Sequence, residues 1–191
     1  MIETKKIVLA SGNKHNIKEI SDMLTGYEVI GYKDMGLDFE IEENGNSFYE
    51  NALIKAKAVS DALNLPALAD DSGICVEALG GAPGIYSARY AGDGIDENNN
   101  KLLLKNLEDK DNRKAKFVCT MVLYKPNGEI ITATGETFGE ILFAPEGQNG
   151  FGYDPIFYSY DLNMSLGVAS AEDKNKISHR YRALADLKDK L

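Results

Sequence analysis

The chain has 191 residues, of which 43% are hydrophobic and 27% are charged, and residues 1–191 are predicted to fold as a single domain. Its 21 basic and 30 acidic residues give a net charge of −9, which argues against a nucleic-acid partner because such proteins carry a basic surface. The sequence contains no apolar run of the roughly 20 residues that a membrane helix needs, so no membrane partner is expected. Cys75 and Cys119 lie in apolar surroundings and are predicted to be core residues of a cytoplasmic protein, rather than a disulfide or a metal pair.

The N-terminal elements predict an anion-binding turn. Lys5 to Ala10 is apolar enough for a central strand, and an amphipathic helical pattern begins at Lys14. The turn Ser11-Gly12-Asn13 between them points backbone N–H groups and the positive end of the helix dipole at its ligand. Basic residues crowd this end of the helix, where they oppose the dipole: Lys14, His15 and Lys18. A bound phosphate explains their position, and a solvated basic face is the alternative.

A second helix is predicted after an acidic loop. Ser47 and Glu50 have the spacing of a capping box, in which a hydroxyl precedes a glutamate by three residues, and the helix is expected to reach about Asn64. Glu43 lies just before this helix. It is either an ordinary surface acid or a member of a metal site.

Two adjacent carboxylates follow the apolar run that ends at Ala69. Asp70 and Asp71 are predicted to lie where a buried strand leaves the sheet, Ser72-Gly73 to form a turn, and Ile74 to Leu79 to form another strand. Adjacent acids repel each other and are costly to desolvate, and Mg²⁺ removes that cost while also holding substrate phosphates. The alternative is a polar turn in which one acid caps the next segment.

The middle of the chain predicts a mixed sheet. A helix is expected from Asp96 to Asp109, followed by a strand from Ala115 to Tyr124. Pro126-Asn127-Gly128 carries a hairpin signal, so Glu129 to Thr134 should return antiparallel. Thr137 to Phe143 is predicted as one more strand.

A glycine-rich loop follows and has the composition of a base-binding loop. Gly150 and Gly152 allow the backbone to bend closely around a flat ligand, and Phe151 or Tyr153 offers a ring face for stacking. Asp154 can accept hydrogen bonds from ring N–H groups. The alternative is a surface loop that its aromatic residues anchor.

The C-terminal segment from Ala171 to Leu191 is predicted as one helix with a recognition cluster near its start. A lone histidine is more often structural than functional. His179, however, is followed by Arg180 and lies close to Lys174, and this grouping favours recognition of a ligand.

Six motifs resemble one family, the inosine/xanthosine triphosphate pyrophosphatases, which remove non-standard purine nucleotides. They occur in the family's order and span the chain from residue 11 to residue 180. The motifs are Ser11-Gly12-Asn13, Ser47-Phe48-Tyr49-Glu50-Asn51-Ala52, Ala69-Asp70-Asp71-Ser72-Gly73, the stretch from Gly80 to Tyr90, Phe151-Gly152-Tyr153-Asp154-Pro155, and Ile177-Ser178-His179-Arg180.

The resemblance implies an α/β fold with an elongated mixed β-sheet flanked by helices, two lobes around a deep cleft, and a homodimer. It implies that ITP, dITP or XTP is cut between the α and β phosphates, giving the nucleoside monophosphate and pyrophosphate. It also implies a requirement for Mg²⁺.

Residue roles follow from the positions that match the family's motifs. Asp71 matches the catalytic acid, which binds metal and acts as the base; Asp70 is its neighbour in the metal site, and Glu43 matches a further metal-binding acid. The predicted substrate-binding residues, which include Lys14 from the basic cluster, are Ser11, Gly12, Asn13, Lys14, Ser72, Phe151, Gly152, Tyr153, Asp154, Lys174, His179 and Arg180. Within this set, the resemblance assigns His179 and Arg180 to the purine edge.

Asn16 is a departure from the family, which usually has a lysine there that touches the triphosphate. Lys14 and Lys18 flank it but share another helix face, so weaker phosphate binding is expected. Two other functions stay open: a pyrophosphatase for modified pyrimidine nucleotides, and a nucleotide sensor without catalysis. The intact acid pair and the His179-Arg180 pair favour the purine enzyme.

Overall fold

The computed structural model describes residues 5–191 apart from the side chain of His15, so the predicted phosphate contact of His15 lies outside the described residues. The helices in this part of the chain are α1 (Lys14–Met23), α2 (Phe48–Leu63), α3 (Asp96–Asn106), α4 (Ala171–Ile177) and α5 (His179–Lys190). The strands are β1 (Lys5–Leu9), β2 (Tyr27–Gly31), β3 (Ala67–Val76), β4 (Lys114–Tyr124), β5 (Ile130–Ile141), β6 (Phe157–Ser159) and β7 (Met164–Ser165).

The strands form one seven-stranded sheet in the order β2-β1-β3-β4-β5-β6-β7. β1 is parallel to β2 and to β3, whereas β6 is antiparallel to β5 and to β7. The predicted α/β fold with a mixed sheet is confirmed. None of the described helices is long and apolar enough to cross a membrane.

The chain divides into two compact units, each with its own hydrophobic core. The first unit comprises residues up to 71, 120–134 and 183–191, and the second comprises residues 72–119 and 135–182, so the boundaries fall inside β3, β4, β5 and α5. The buried core of the first unit includes Val8, Ala52, Ala56, Val59, Ala67 and Val122. That of the second includes Ile74, Leu103, Phe117, Tyr153, Ile156 and Phe157.

The acid pair lies inside a strand rather than beyond its end. β3 is continuous from Ala67 to Val76, so the predicted turn at Ser72-Gly73 is wrong. Gly73 adopts extended backbone there, and Ile74 after it is fully buried, so the apolar pattern resumes without a change of chain direction. The strand predicted from Ile74 to Leu79 ends early, because Glu77–Leu79 forms a 3-10 turn.

The two strands predicted after the hairpin are a single strand, β5. Its burial alternates without interruption across Gly135, with Ala133, Thr137 and Ile141 on the buried face. Because that alternation is the signature of one half-buried strand, Thr137 to Phe143 is not a separate element.

The C-terminal helix is also interrupted, so the prediction of one helix is wrong. Ser178 adopts extended backbone between α4 and α5, with φ −65° and ψ 149°. Its Oγ accepts a hydrogen bond from the backbone N–H of Tyr181 at 3.1 Å, which caps a new helix. The Oγ of Thr137 donates to the carbonyl of Ile177 at 2.6 Å, which satisfies the end of α4. His179 therefore opens a helix of its own.

Candidate active site

The predicted site residues fall into two groups, and each unit carries one of them. The group in the first unit consists of Ser11, Gly12, Asn13, Lys14, Glu43, Asp70 and Asp71. The group in the second unit consists of Ser72, Phe151, Gly152, Tyr153, Asp154, Lys174, His179 and Arg180.

In the first unit, Asn51 links Asp71 to the acidic loop. Its Nδ2 donates to Asp71 Oδ2 at 3.1 Å, and its Oδ1 accepts from the backbone N–H of Gly45 at 2.8 Å. The Asn51 side chain is buried, with 2% of its surface exposed. The helix that carries it starts as predicted, because Ser47 Oγ accepts from the N–H of Glu50 at 3.1 Å.

Lys55, one turn further along α2, contacts the other two predicted metal-site residues. Its Nζ donates to the backbone carbonyl of Asp70 at 2.7 Å and lies 3.3 Å from Glu43 Oε2. Only 15% of the Lys55 side chain is exposed. Asn51 and Lys55 thus connect α2 to the acid pair and to Glu43.

The three carboxylates that the sequence predicts as metal ligands, Asp70, Asp71 and Glu43, all lie in the first unit. Among the side chains that the structure describes, which exclude that of His15, no three carboxylates, imidazoles or thiols come close enough to form a metal-binding group. Mg²⁺ is usually held by one or two carboxylates together with water and substrate phosphates. Asp71 and Glu43 are oxygen donors of the right chemistry for this arrangement.

The turn between β1 and α1 is open to solvent. Ser11 Oγ accepts from the backbone N–H of Asn13 at 3.2 Å, which shapes the turn, and Gly12, Asn13 and Lys14 are exposed. The ten-residue helix α1 begins directly after this turn, and the backbone N–H groups of its first turn are suited to binding an anion. The strand, turn and helix that the sequence predicted here are present.

Lys33 supplies a positive charge at this turn that the sequence analysis missed. A Cβ atom on Gly12 would lie 3.2 Å from Lys33 Cδ and 3.6 Å from its Nζ, so the Lys33 side chain runs across the bare glycine. Lys18, by contrast, forms an ion pair with Asp22 at 2.6 Å along the exposed face of α1.

In the second unit, Asp154 organises the glycine-rich loop. It is 3% exposed, accepts from the backbone N–H of Phe151 at 3.0 Å, and forms an ion pair with Lys174. Burial raises the pKa of the Asp154 carboxyl, and the Lys174 ammonium acts in the opposite direction. Gly150 has φ +74°, and a Cβ there would collide with the Asp154 carboxylate, so this position requires glycine.

Of the two aromatic residues predicted to stack on a base, only Phe151 presents an open ring. Phe151 is 69% exposed, and Lys174 Nζ lies 4.3 Å from its ring centroid. Tyr153 is buried in the core, where its hydroxyl donates to the carbonyl of Ser87 at 2.6 Å and burial raises the pKa of the phenol. Tyr153 therefore anchors the loop.

Helix α3 holds the same loop at a single residue, Gly152. Asp96 Oδ2 accepts from the backbone N–H of Gly152 at 2.8 Å, and Asn100 Nδ2 donates to the carbonyl of Gly152 at 3.0 Å. Asp96 and Asn100 are four residues apart and so share one face of the helix. The loop conformation is thus fixed from outside as well as by Asp154.

His179 lines a pocket beside the Asp154–Lys174 pair. Its ring stacks on Phe117, with the centroids 5.1 Å apart and the planes 15° apart, so the plane of the imidazole is set by packing. The pocket is lined by Phe117, Thr137, Asp154, Leu166, Lys174, Ile177, Ser178 and His179. Arg180 is half-buried in the first turn of α5, and Ser72 is half-buried in β3.

The fold defines an α/β protein that carries an acid pair in one unit and an aromatic loop in the other. Residues 7–190 match the Ham1 family model, and the chain belongs to the Ham1 family. It is 48% identical to the dITP/XTP pyrophosphatase of Mannheimia succiniciproducens, with 98% of each chain covered. It is 45% identical to the dITP/XTP pyrophosphatase of Staphylococcus aureus, with 94% of this chain and 93% of that one covered.

Solved structures agree with this membership. The Ham1 protein of Staphylococcus aureus superposes with a TM-score of 0.93 at 44% identity, with 97% of each chain covered. The nucleoside-triphosphatase or dITP/XTP pyrophosphatase of Mycobacterium abscessus superposes with a TM-score of 0.83 at 42% identity, with 94% of this chain and 97% of that one covered. The family resemblance stated from the six motifs is confirmed.

Proposed function

We propose that this chain is a nucleoside-triphosphate pyrophosphatase that hydrolyses the non-standard purine nucleotides dITP, ITP and XTP. The products are the nucleoside monophosphate and pyrophosphate. Relatives with 44–48% identity over nearly the whole chain are dITP/XTP pyrophosphatases. The observation that carries the proposal for this chain is the Asp71 carboxylate, which accepts a hydrogen bond from Asn51 and follows Asp70, whose carbonyl accepts from Lys55.

The hydrolysis requires a base, bound phosphates and a neutralised negative charge. Asp71 accepts the proton of the attacking water, whose oxygen adds to a phosphorus of the α–β anhydride as pyrophosphate leaves. The N–H groups of the Ser11-Gly12-Asn13 turn and the ammonium of Lys33 bind phosphate oxygens. Asp71 and Glu43, with Asp70 adjacent, would hold Mg²⁺, which would supply neutralisation of the phosphate charge.

Recognition of the base is assigned to the second unit. Phe151 offers the stacking face, and Arg180 and His179 donate to the 6-oxo group of inosine or xanthine. Adenine presents an amino group there, so donors would face donors and stay unpaired, at a cost of about 1–3 kcal/mol per buried group. Arginine is an obligate donor and suits this discrimination.

A substrate panel tests the proposal directly. We expect pyrophosphate release from dITP, ITP and XTP to be much faster than from dATP and dTTP, measured with an enzyme-coupled pyrophosphate assay. Faster release from a modified pyrimidine triphosphate would replace the purine assignment. Binding of ITP without release of pyrophosphate would identify a nucleotide sensor.

Removal of divalent metal should abolish the reaction. We expect EDTA to stop pyrophosphate release from dITP and an excess of Mg²⁺ to restore it. The carboxylates of Asp71 and Glu43 are negatively charged, so a cation is needed to neutralise the triphosphate beside them. Full activity in EDTA, after the protein has been shown free of metal by mass spectrometry, would contradict a role for Mg²⁺.

Lys33 should compensate for the missing lysine at position 16. We expect Lys33→Ala to raise KM for dITP by roughly three- to tenfold, since one cation–phosphate contact of about 1 kcal/mol is lost. Asn16→Lys should lower KM and should rescue Lys33→Ala. Lys57→Ala removes an exposed lysine that pairs with Asp61 and serves as the control. An unchanged KM in Lys33→Ala would refute the compensation.

We also propose a cytoplasmic homodimer. Cys75 and Cys119 form no disulfide, which suits a reducing compartment, and the family resemblance supports the dimer. Sedimentation of the purified protein tests the oligomeric state, and a monomer at micromolar concentration would contradict it.

A further inference from the structure

We propose that Asn51 is a positioning residue for the hydrolysis and acts by holding the Asp71 carboxylate. The inference rests on the proposed function, because Asp71 is the base in that reaction. Asn51 occupies the first turn of α2, and its side chain forms hydrogen bonds with Asp71 and with the backbone of Gly45.

The surroundings of Asn51 fix the orientation of its amide. Nδ2 donates to a carboxylate oxygen of Asp71, and Oδ1 accepts from the N–H of Gly45. If the amide were flipped, its oxygen would face the Asp71 carboxylate and its NH₂ group would face the Gly45 N–H. Both contacts would then be repulsive. The amide of Asn51 is therefore held in one orientation by an acceptor on one side and a donor on the other.

The same amide also restrains the loop that contains Glu43. Gly45 is two residues beyond Glu43, and a Cβ at Gly45 would lie 2.8 Å from Asn51 Oδ1, so only glycine lets the loop approach. A single side chain thus connects the base with the loop of the second proposed metal-binding acid. Groups that orient a catalytic or metal-binding side chain by hydrogen bonding to it typically contribute 10–100-fold to activity or metal affinity.

Asn51→Asp isolates the contact with Asp71. The variant has the same shape and keeps the acceptor for Gly45, but it places a carboxylate oxygen against the carboxylate of Asp71. We expect kcat for dITP to fall by roughly 10–100-fold, whereas KM should change by less than about threefold because no phosphate or base contact is removed.

A double variant separates positioning from general damage. If Asn51 acts through Asp71, Asn51→Asp combined with Asp71→Asn should be no slower than Asp71→Asn alone. The double variant should also regain stability to urea relative to Asn51→Asp, because the amide introduced at position 71 donates to the carboxylate introduced at position 51. This second readout does not depend on activity.

Asn99→Asp is the matched control. Asn99 is 1% exposed and, like Asn51, bridges two groups: Nδ2 donates to Ala88 O, and Oδ1 accepts from Ala91 N. We expect Asn99→Asp to lose stability while the folded enzyme keeps its kcat.

Two results would overturn the positioning role while leaving the proposed function intact. One is a wild-type kcat in Asn51→Asp, and the other is a full additional loss of kcat when Asn51→Asp is added to Asp71→Asn. A wild-type chain that releases no pyrophosphate from dITP would instead refute the proposed function, and the positioning role with it. The two failures are therefore distinguishable.

Discussion

Asp71→Asn is expected to lower kcat for dITP by about 10²–10⁴-fold, because the neutral amide cannot accept the proton of the attacking water. The fold should survive. Asparagine has the same shape, and its Oδ1 still accepts the hydrogen bond from Asn51 Nδ2, whose partner in the wild-type protein is Asp71 Oδ2 at 3.1 Å. The measurement is steady-state pyrophosphate release at saturating Mg²⁺, together with urea unfolding.

Asp61→Asn provides the control for loss of a carboxylate. Asp61 lies on exposed α2 surface and pairs with Lys57 at 2.5 Å, so its replacement should leave kcat unchanged. Near-normal turnover in folded Asp71→Asn would remove Asp71 from the role of base, and the acid pair would then need another explanation.

Lys174→Met is expected to destabilise the protein by about 3–5 kcal/mol, because it leaves the Asp154 carboxylate buried without its partner. Asp154 is 3% exposed and the Lys174 side chain is 15% exposed, so water solvates the unpaired Asp154 carboxylate poorly. Denaturant unfolding measures the change. Binding of dITP should weaken as well, since Lys174 is a proposed nucleotide contact.

A second substitution tests the cause. Lys174→Met combined with Asp154→Asn should recover more than half of the lost stability, because the asparagine is neutral and still accepts from the Phe151 N–H. Lys176→Met breaks the exposed pair with Glu172 and should change stability little. A double variant no more stable than Lys174→Met would mean that the buried charge is not the cause.

Local patterns predicted most elements but not their continuity. The strand, turn and helix from Lys5 onward and the Ser47 cap follow from hydrophobic periodicity and capping chemistry. Ser72-Gly73 and Ser178 are residue types common in turns and caps, and the sequence did not indicate whether the strand or helix continues or ends at them. The first pair continues a strand because apolar burial resumes at Ile74, whereas Ser178 ends one helix and caps the next.

The supporting residues of the site could not be predicted because their partners are distant in sequence. Asn51 meets Asp71 across 20 residues, Lys55 meets Asp70 across 15, and Asn100 meets Gly152 across 52. A local signal existed for one pair: Asn51 and Lys55 lie four residues apart, next to the apolar stripe of α2. Lys33 gave no such signal, since only the fold brings it to Gly12.

The most direct test of the central claim is to identify the products formed from dITP with Mg²⁺. Phosphorus NMR of the reaction should show dIMP and pyrophosphate in equal amounts, with no orthophosphate and no dIDP. Formation of dIDP and orthophosphate would show cleavage between the β and γ phosphates and contradict the assignment, and so would the absence of any product while dITP stays bound.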